Sequence, residues 1–121
     1  MKQLIMGVCE GRHEMPCASF IFNQEVNPLD VAALEEAAFN RIKSLVEEQG
    51  IEWEMGYAYV PFQADMFDVC KYRYSCEAVI YVTGLTVAVM AAVNAARALC
   101  ESVVLMHYDR ESGQYYPQKI G

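Results

Sequence analysis

A chain of 121 residues, 55% hydrophobic and 21% charged, is long enough for one buried core and too short for two. We therefore expect one domain over residues 1–121, and the composition excludes a disordered chain. The net charge of −7, from 16 acidic and 9 basic residues without a basic cluster, argues against a nucleic-acid polymer as partner. A small anion is not excluded, because backbone N–H groups and one arginine can bind it.

The first half of the chain predicts two strands and a helix. Residues 3–9 and 17–22 are short apolar runs of strand length. A helix over 30–49 is predicted to start at Asn27 or Asp30 and to end at Gly50. Its buried face is predicted to consist of Leu34, Ala38, Ile42, Leu45 and Val46.

The second half predicts a strand over 52–60, a loop over 62–75, and then the unit on which the fold depends. Apolar runs at 78–82 and 102–107 flank a helix at 86–100, which predicts a parallel, Rossmann-like strand–helix–strand unit at 78–107. The element order over 17–60 allows the same arrangement there. After a turn at 108–113, residues 114–118 are predicted to form an edge strand that tolerates Pro117. The expected class is α/β, with a mixed, mainly parallel sheet of five to six strands and two principal helices.

The longest apolar stretch, residues 85–100, is informative about the partners of the protein and about whether it crosses a membrane. It is interrupted by Asn94 and Arg97 and is shorter than the roughly 20 residues of a membrane-spanning helix. A helix so apolar all round must be covered by the sheet and by another element or another chain, so we expect a homodimer and no membrane partner. The odd number of cysteines and the lack of a signal-peptide pattern after Met1 predict reduced thiols in the cytoplasm.

Two turns are predicted to share one edge of the sheet, because ligands of parallel sheets lie beyond the carboxyl ends of the strands. In the turn at 83–86, the hydroxyls of Thr83 and Thr86 and the backbone freedom of Gly84 suit a phosphate or carboxylate. The alternative is structural: a threonine caps the helix and Gly84 makes the turn.

The turn at 107–110 offers His107 as a general acid or base, with Asp109 and Arg110 as charged partners. In the alternative interpretation Asp109 bonds its own backbone, Arg110 is solvated and His107 packs at the strand end. If the first strand is parallel to the other two, the loop that holds Arg12 and His13 joins this edge.

The cysteines do not predict a metal site or a cofactor. Cys9, His13 and Cys17 have a Cys-x3-His-x3-Cys spacing, but no Cys-x-x-Cys pair accompanies them, and we predict neither metal nor cofactor. Cys70 and Cys76 are expected to be free thiols. The tyrosines near the C-terminus can stack a planar base, form a dimer contact or pack within the fold.

The sequence Thr-Gly-Leu-Thr at 83–86, with His-Tyr-Asp-Arg-Glu-Ser-Gly-Gln-Tyr-Tyr-Pro-Gln at 107–118, resembles small bacterial and phage-type α/β proteins. That resemblance implies a fold and no particular activity. Residues 78–97 also resemble the Rossmann-like nucleotide sensors associated with CRISPR systems, which bind cyclic oligoadenylates and sometimes cleave them. The resemblance implies a nucleotide site at Thr83, Gly84 and Thr86. Val87 stands where those sensors often have a basic residue, and no part of the chain matches an effector nuclease.

Three hypotheses for function follow. The first is a small cytoplasmic binding protein that holds a nucleotide or other small anion at the edge formed by 83–86 and 107–110. The second is a phosphodiesterase-type hydrolase, with His107 or His13 as acid or base and Arg110 or Arg12 steadying the oxyanion. The third is a dimeric interaction module without ligand.

Overall fold

The computed structural model of the protein describes residues 2–9, 15–22, 29–57, 70–83 and 86–120. Within these residues lie six strands and two helices, which we number in chain order. The strands are β1 (Lys2–Cys9), β2 (Phe20–Phe22), β3 (Trp53–Tyr57), β4 (Cys70–Tyr81), β5 (Cys100–Asp109) and β6 (Gln114–Lys119), and the helices are α1 (Val31–Glu48) and α2 (Thr86–Leu99). Neither of these helices has the length and apolar character that a membrane crossing requires.

All six strands belong to one sheet, in the order β2-β1-β4-β5-β6, with β3 paired to β4 outside that series. The four strands β2, β1, β4 and β5 are parallel neighbours, whereas β6 is antiparallel to β5 and β3 is antiparallel to β4. The predicted α/β class and the mixed, mostly parallel sheet are confirmed. The parallel pairing of β4 and β5 across α2 is confirmed as well.

Two predictions about the middle of the chain are wrong. The segment from β2 through α1 to β3 does not repeat the parallel unit, because β3 runs antiparallel to β4, with Tyr57 opposite Cys70. Residues 70–75 are part of a strand and not of a loop, while 62–69 lie outside the described residues. The missed signal is the alternation of Lys71 and Arg73 with tyrosines, which is typical of a strand.

The helix α1 begins and ends where its sequence predicts. The Ala33 N–H donates to Asp30 Oδ1 over 3.1 Å, which makes Asp30 the N-cap. At the other end Gly50 adopts a φ of 65°, its N–H donates to the Glu47 carbonyl, and the Ile51 N–H donates to the Val46 carbonyl. These two bonds form a Schellman motif, which satisfies the last carbonyls of the helix. The buried residues of α1 are the five predicted ones, Leu34, Ala38, Ile42, Leu45 and Val46.

The core lies between the sheet and the two helices. From β1, Leu4, Met6 and Val8 are fully buried under this helical layer. The helix α2 contacts α1 as well as β1, β4 and β5, and its seven buried small side chains allow a close approach: they are Ala88, Ala91, Ala92, Val93, Ala95, Ala96 and Ala98. The second element that was expected to cover α2 is therefore α1, and only Met90 leaves a large apolar side chain of α2 exposed.

The opposite face of the sheet carries Ile5, Val79 and Val104, which we call the open face, because no helix among the described residues packs on it. Ile5, which lies before the stretch of β1 that pairs with β2, is 40% exposed, whereas Val79 in the central strand β4 is only 7% exposed. Near the carboxyl end of this face β1 and β2 approach closely at Gly7. A Cβ atom there would lie 2.8 Å from the Phe20 ring and 2.9 Å from Met15 Sδ, so this position has no room for a side chain.

Candidate functional site

The carboxyl ends of β1, β4 and β5 lie side by side because the three strands are parallel neighbours. This confirms that the first strand shares its edge with the two strands of the unit at 78–107. The edge therefore collects the residues that follow Cys9, Tyr81 and Asp109. Arg12, His13 and Gly84 belong to these connections by sequence but lie outside the described residues, so their predicted roles stay predictions.

The chain leaves this edge in opposite directions from its two central strands. From β1 it goes to β2 on one side, whereas from β4 it goes through α2 to β5 on the other side. In open α/β sheets, ligands commonly bind where the strand order reverses in this way. Here the reversal lies at the carboxyl ends of β1 and β4, at Cys9 and Tyr81.

Thr83 and Thr86 lie at this edge, between the end of β4 and the start of α2. The Val82 N–H still donates to the Met106 carbonyl over 2.9 Å, so the β4 chain remains attached to β5 up to the residue before Thr83. Thr83 is half-buried, and Thr86 is exposed at the first position of α2. The first N–H groups of a helix have no intrahelical acceptor and carry partial positive charge. Both threonine side chains are therefore accessible next to hydrogen-bond donors.

His107 lies on the side of the sheet that the helices cover, at its β6 margin. In the neutral tautomer that suits this pair, His107 Nε2 donates to Gln118 Oε1 over 2.7 Å. Its ring also lies against Tyr116, with ring centroids 5.4 Å apart. No contact among the described residues joins His107 to Asp109 or Arg110. The position accords with the structural interpretation of His107, as a group packed near the strand end.

Asp109 organises the turn between β5 and β6. Its carboxylate accepts from the Glu111 N–H over 3.2 Å and from Ser112 Oγ over 2.7 Å, and its carbonyl accepts from the Gly113 N–H. The bond from Ser112, followed by that from Glu111, lowers the pKa of the Asp109 carboxyl. β5 extends through Asp109, two residues beyond the predicted end at His107, because Asp109 pairs with Gln114.

Arg110 follows as an exposed residue of this turn and makes no hydrogen bond or ion pair with a described residue. These positions agree with the structural alternative, in which Asp109 bonds the backbone of its own turn and Arg110 is solvated. The acid–base roles proposed for His107 and Arg110 stay a prediction that no described contact supports.

Three tyrosines form an aromatic cluster on the open face at the same edge. The Tyr115 ring lies 4.8 Å from the Tyr81 ring and 5.2 Å from the Tyr108 ring, both in edge-to-face geometry. The Tyr115 hydroxyl is buried and has no hydrogen-bond partner among the described residues. Burial raises the pKa of Tyr115, and the neighbouring Tyr108 and Cys17 add to that effect. Tyr81 was missed from sequence because it ends a buried strand, where an aromatic residue is usually core.

The thiols of Cys9, Cys17, Cys76 and Cys100 are free, whereas the side chain of Cys70 lies outside the described part of the structure. Burial raises the pKa of Cys9 and of Cys17, which keeps both protonated at neutral pH. On the helical side of the sheet, Cys76 and Cys100 are buried together. The Cys100 thiol donates to Cys76 Sγ, and this bond raises the pKa of Cys100 while it lowers that of Cys76.

Within the described residues no group of three side chains is arranged to hold a metal ion. The Cys9, His13 and Cys17 spacing includes a residue outside that part of the chain, so it is not tested by this result. Comparison with known proteins adds no assignment: no family model, no curated protein and no solved structure matches the chain.

Proposed function

We propose that the protein is a small cytoplasmic binding protein that holds a nucleotide or another small anion at the carboxyl edge of its sheet. Residues 83–86 and the turn at 107–110 flank the proposed site. The supporting observation is the reversal of strand order between β1 and β4, since ligands of open parallel sheets bind at such reversals. On the same ground we propose that β4, α2 and β5 form a Rossmann-like unit.

The local chemistry supports an anion despite the overall charge of −7. The first turn of α2 supplies unpaired N–H donors, and the Thr83 and Thr86 hydroxyls can add two more hydrogen bonds. These groups act over a few ångströms, whereas the field of distant carboxylates is screened at physiological salt over about 8 Å. Thr83 and Thr86 are the residues expected to contact the anion.

The aromatic cluster favours a nucleotide over a bare anion. Tyr81 precedes Thr83 by two residues, is half-buried and contacts the Tyr115 ring in edge-to-face geometry. A planar base can stack on such a ring while its phosphate lies at the start of α2. In this proposal the base is bound on the open face and the anion near α2.

A thermal-shift screen with inorganic phosphate, nucleoside monophosphates and cyclic dinucleotides tests the proposal. A ligand present at 100 times its Kd should stabilise the protein by about 2.7 kcal/mol. We expect a nucleotide to raise the unfolding temperature at concentrations where inorganic phosphate has a smaller effect. If no member of the screen raises it, the ligand part of the proposal is wrong.

A variant pair locates the site. Thr86→Val keeps the side-chain shape but removes the hydroxyl, and the loss of one hydrogen bond to a charged group should weaken binding by about tenfold or more. The matched control is Ser75→Ala, which removes an exposed hydroxyl from the other half of β4. Equal weakening by both variants, or none by Thr86→Val, would place the ligand elsewhere.

A further inference from the structure

The open face presents a continuous row of apolar side chains across the three inner parallel strands. Ile5 pairs with Val79, and Val79 pairs with Val104. Paired residues of neighbouring strands point to the same face, so the three side chains stand in one row. One step toward the carboxyl edge, Tyr81 pairs with Met106 and continues the apolar surface. The row therefore widens into a patch that reaches the aromatic cluster.

The exposure of this patch is unusual for a parallel sheet. Ile5 is 40% exposed and Val104 and Met106 are half-buried around Val79, which is 7% exposed, whereas Leu4 and Met6 on the helical side are fully buried. Parallel sheets occur almost only with both faces covered, because their strands carry apolar residues on both sides. An apolar patch of this kind on a folded protein marks an interaction surface.

The distribution of charge on the open face indicates what covers it. The apolar row carries no ionisable side chain, although the whole chain has a net charge of −7. Of the side chains that the structure describes on this face, one charged group stands at each of two margins. Glu77 accepts from Gln3 Nε2 over 3.2 Å and from Ser102 Oγ over 3.1 Å at the amino end of the face, and Lys119 pairs with Val104 on the edge strand β6.

Such a surface is complementary to a copy of itself. In a twofold-symmetric dimer the same surface of both copies forms the contact, so every contact between two different residues occurs twice. The acidic margin of each copy can therefore meet the basic margin of the other, which gives two equivalent contacts between opposite charges. The uncharged centre lets two chains of like net charge approach where their repulsion is smallest. A partner with a strongly charged surface would bind less tightly, because its charges would lose water and face the apolar side chains of Ile5 and Val79.

We propose that a second copy of this chain docks on the open face and forms a dimer in which Glu77 of each copy lies near Lys119 of the other. This surface differs from the all-round apolar helix on which the sequence prediction of a dimer rests. The dimer does not require the proposed ligand, since Ile5 and Val104 lie two residues nearer the amino end of the sheet than Tyr81, on which the base is proposed to stack. Dimerisation would bury the second face of the parallel strands, as α1 and α2 bury the first.

Sedimentation analysis of the full chain at micromolar concentration tests the dimer. The wild-type protein should sediment as a species of twice 13.7 kDa. Ile5→Lys places a charge in the centre of the patch and should weaken the dimer by about tenfold or more. The matched control is Met90→Lys, the same change at a side chain that is 50% exposed on α2. It should leave the mass unchanged.

The charged margins give a second, independent variant that keeps the apolar patch intact. Lys119→Glu replaces an exposed side chain and should weaken the dimer, and Glu77→Lys combined with Lys119→Glu should restore part of the loss. A circular dichroism spectrum checks that each variant is folded. A wild-type monomer, or a dimer that Met90→Lys dissociates and neither Ile5→Lys nor Lys119→Glu affects, would overturn the proposal.

Discussion

The two faces of the central sheet are built from alternate residues of the same strands, yet they meet different surroundings. In β1, Leu4 is fully buried under the helices, while its neighbour Ile5 is 40% exposed on the open face. The helical face is closed by α1 and by α2, whose small side chains allow close packing, and the open face ends in an aromatic cluster in which the Tyr115 hydroxyl has no partner among the described residues. The comparison shows that apolar content alone does not tell which side of a strand the chain itself will cover.

The largest effect is expected from truncating the helical face. Leu4→Ala should lower the free energy of unfolding by about 2–5 kcal/mol, because it leaves a cavity in a closed core. Ile5→Ala, the matched change one residue along, should cost the isolated chain clearly less, since a large part of its side chain already contacts water. Urea denaturation at low protein concentration measures both values. Equal losses would mean that the open face is as closed as the helical face.

The next effect concerns the close contact between β1 and β2. Gly7→Ala should destabilise the protein by about 1–3 kcal/mol, because the new methyl group would lie 2.8 Å from the Phe20 ring. The loss should shrink in a Phe20→Leu background, which gives the methyl group room, and a double-mutant cycle measures this coupling. A Gly7→Ala variant as stable as the wild type would mean that the β2 edge adapts freely.

One substitution in the aromatic cluster is expected to increase the stability of the protein. Tyr115→Phe removes a buried hydroxyl without a partner among the described residues and should stabilise the protein by about 1 kcal/mol. Tyr116→Phe is the matched control, because this neighbouring side chain is 54% exposed. It should change the unfolding free energy very little. A clear loss from Tyr115→Phe would indicate that the hydroxyl does have a partner, for instance a bound water molecule.

The smallest effect belongs to the exposed turn beyond both faces. The folded-state pKa of Asp109 lies below its ordinary value, so its carboxylate stabilises the fold at pH values above the unfolded pKa of about 3.9. This contribution is lost as the pH falls through the lower folded pKa. The stability difference between wild type and Asp109→Asn should therefore shrink in acid. Ser112→Ala should raise the pKa of Asp109 toward its ordinary value in an NMR titration, and an unchanged value would contradict the assigned hydrogen bond.

Local signals were sufficient for the elements whose structure depends on near neighbours in sequence. The α1 helix has its predicted buried face, and its ends follow from Asp30 and Gly50. The parallel pairing around α2 also followed from sequence, since two apolar strands joined by a helix have few other arrangements. The sequence was therefore sufficient to predict that residues 83–86 and 107–110 lie at the same edge of the sheet.

The contacts at that edge were less predictable. Asp109 and Ser112 form a turn that sequence had only weighed against a catalytic role. Tyr81 joins Tyr115 across β5, through contacts between residues far apart in the chain. The direction of β3 also escaped sequence reasoning, because alternation identifies a strand but carries no information about its partner.

The sequence by itself determined the α/β class, the two helices and the edge at which a ligand is expected. These follow from hydrophobic periodicity and from capping residues, which act over one or two turns of chain. Only the tertiary structure decided that α1 covers α2, that β3 runs antiparallel, and that Ile5, on the side of the sheet away from the helices, stays exposed. Each of these features depends on contacts between segments that are far apart in the sequence. Periodicity within one segment shows which side of it is buried, but it does not show which other segment covers that side.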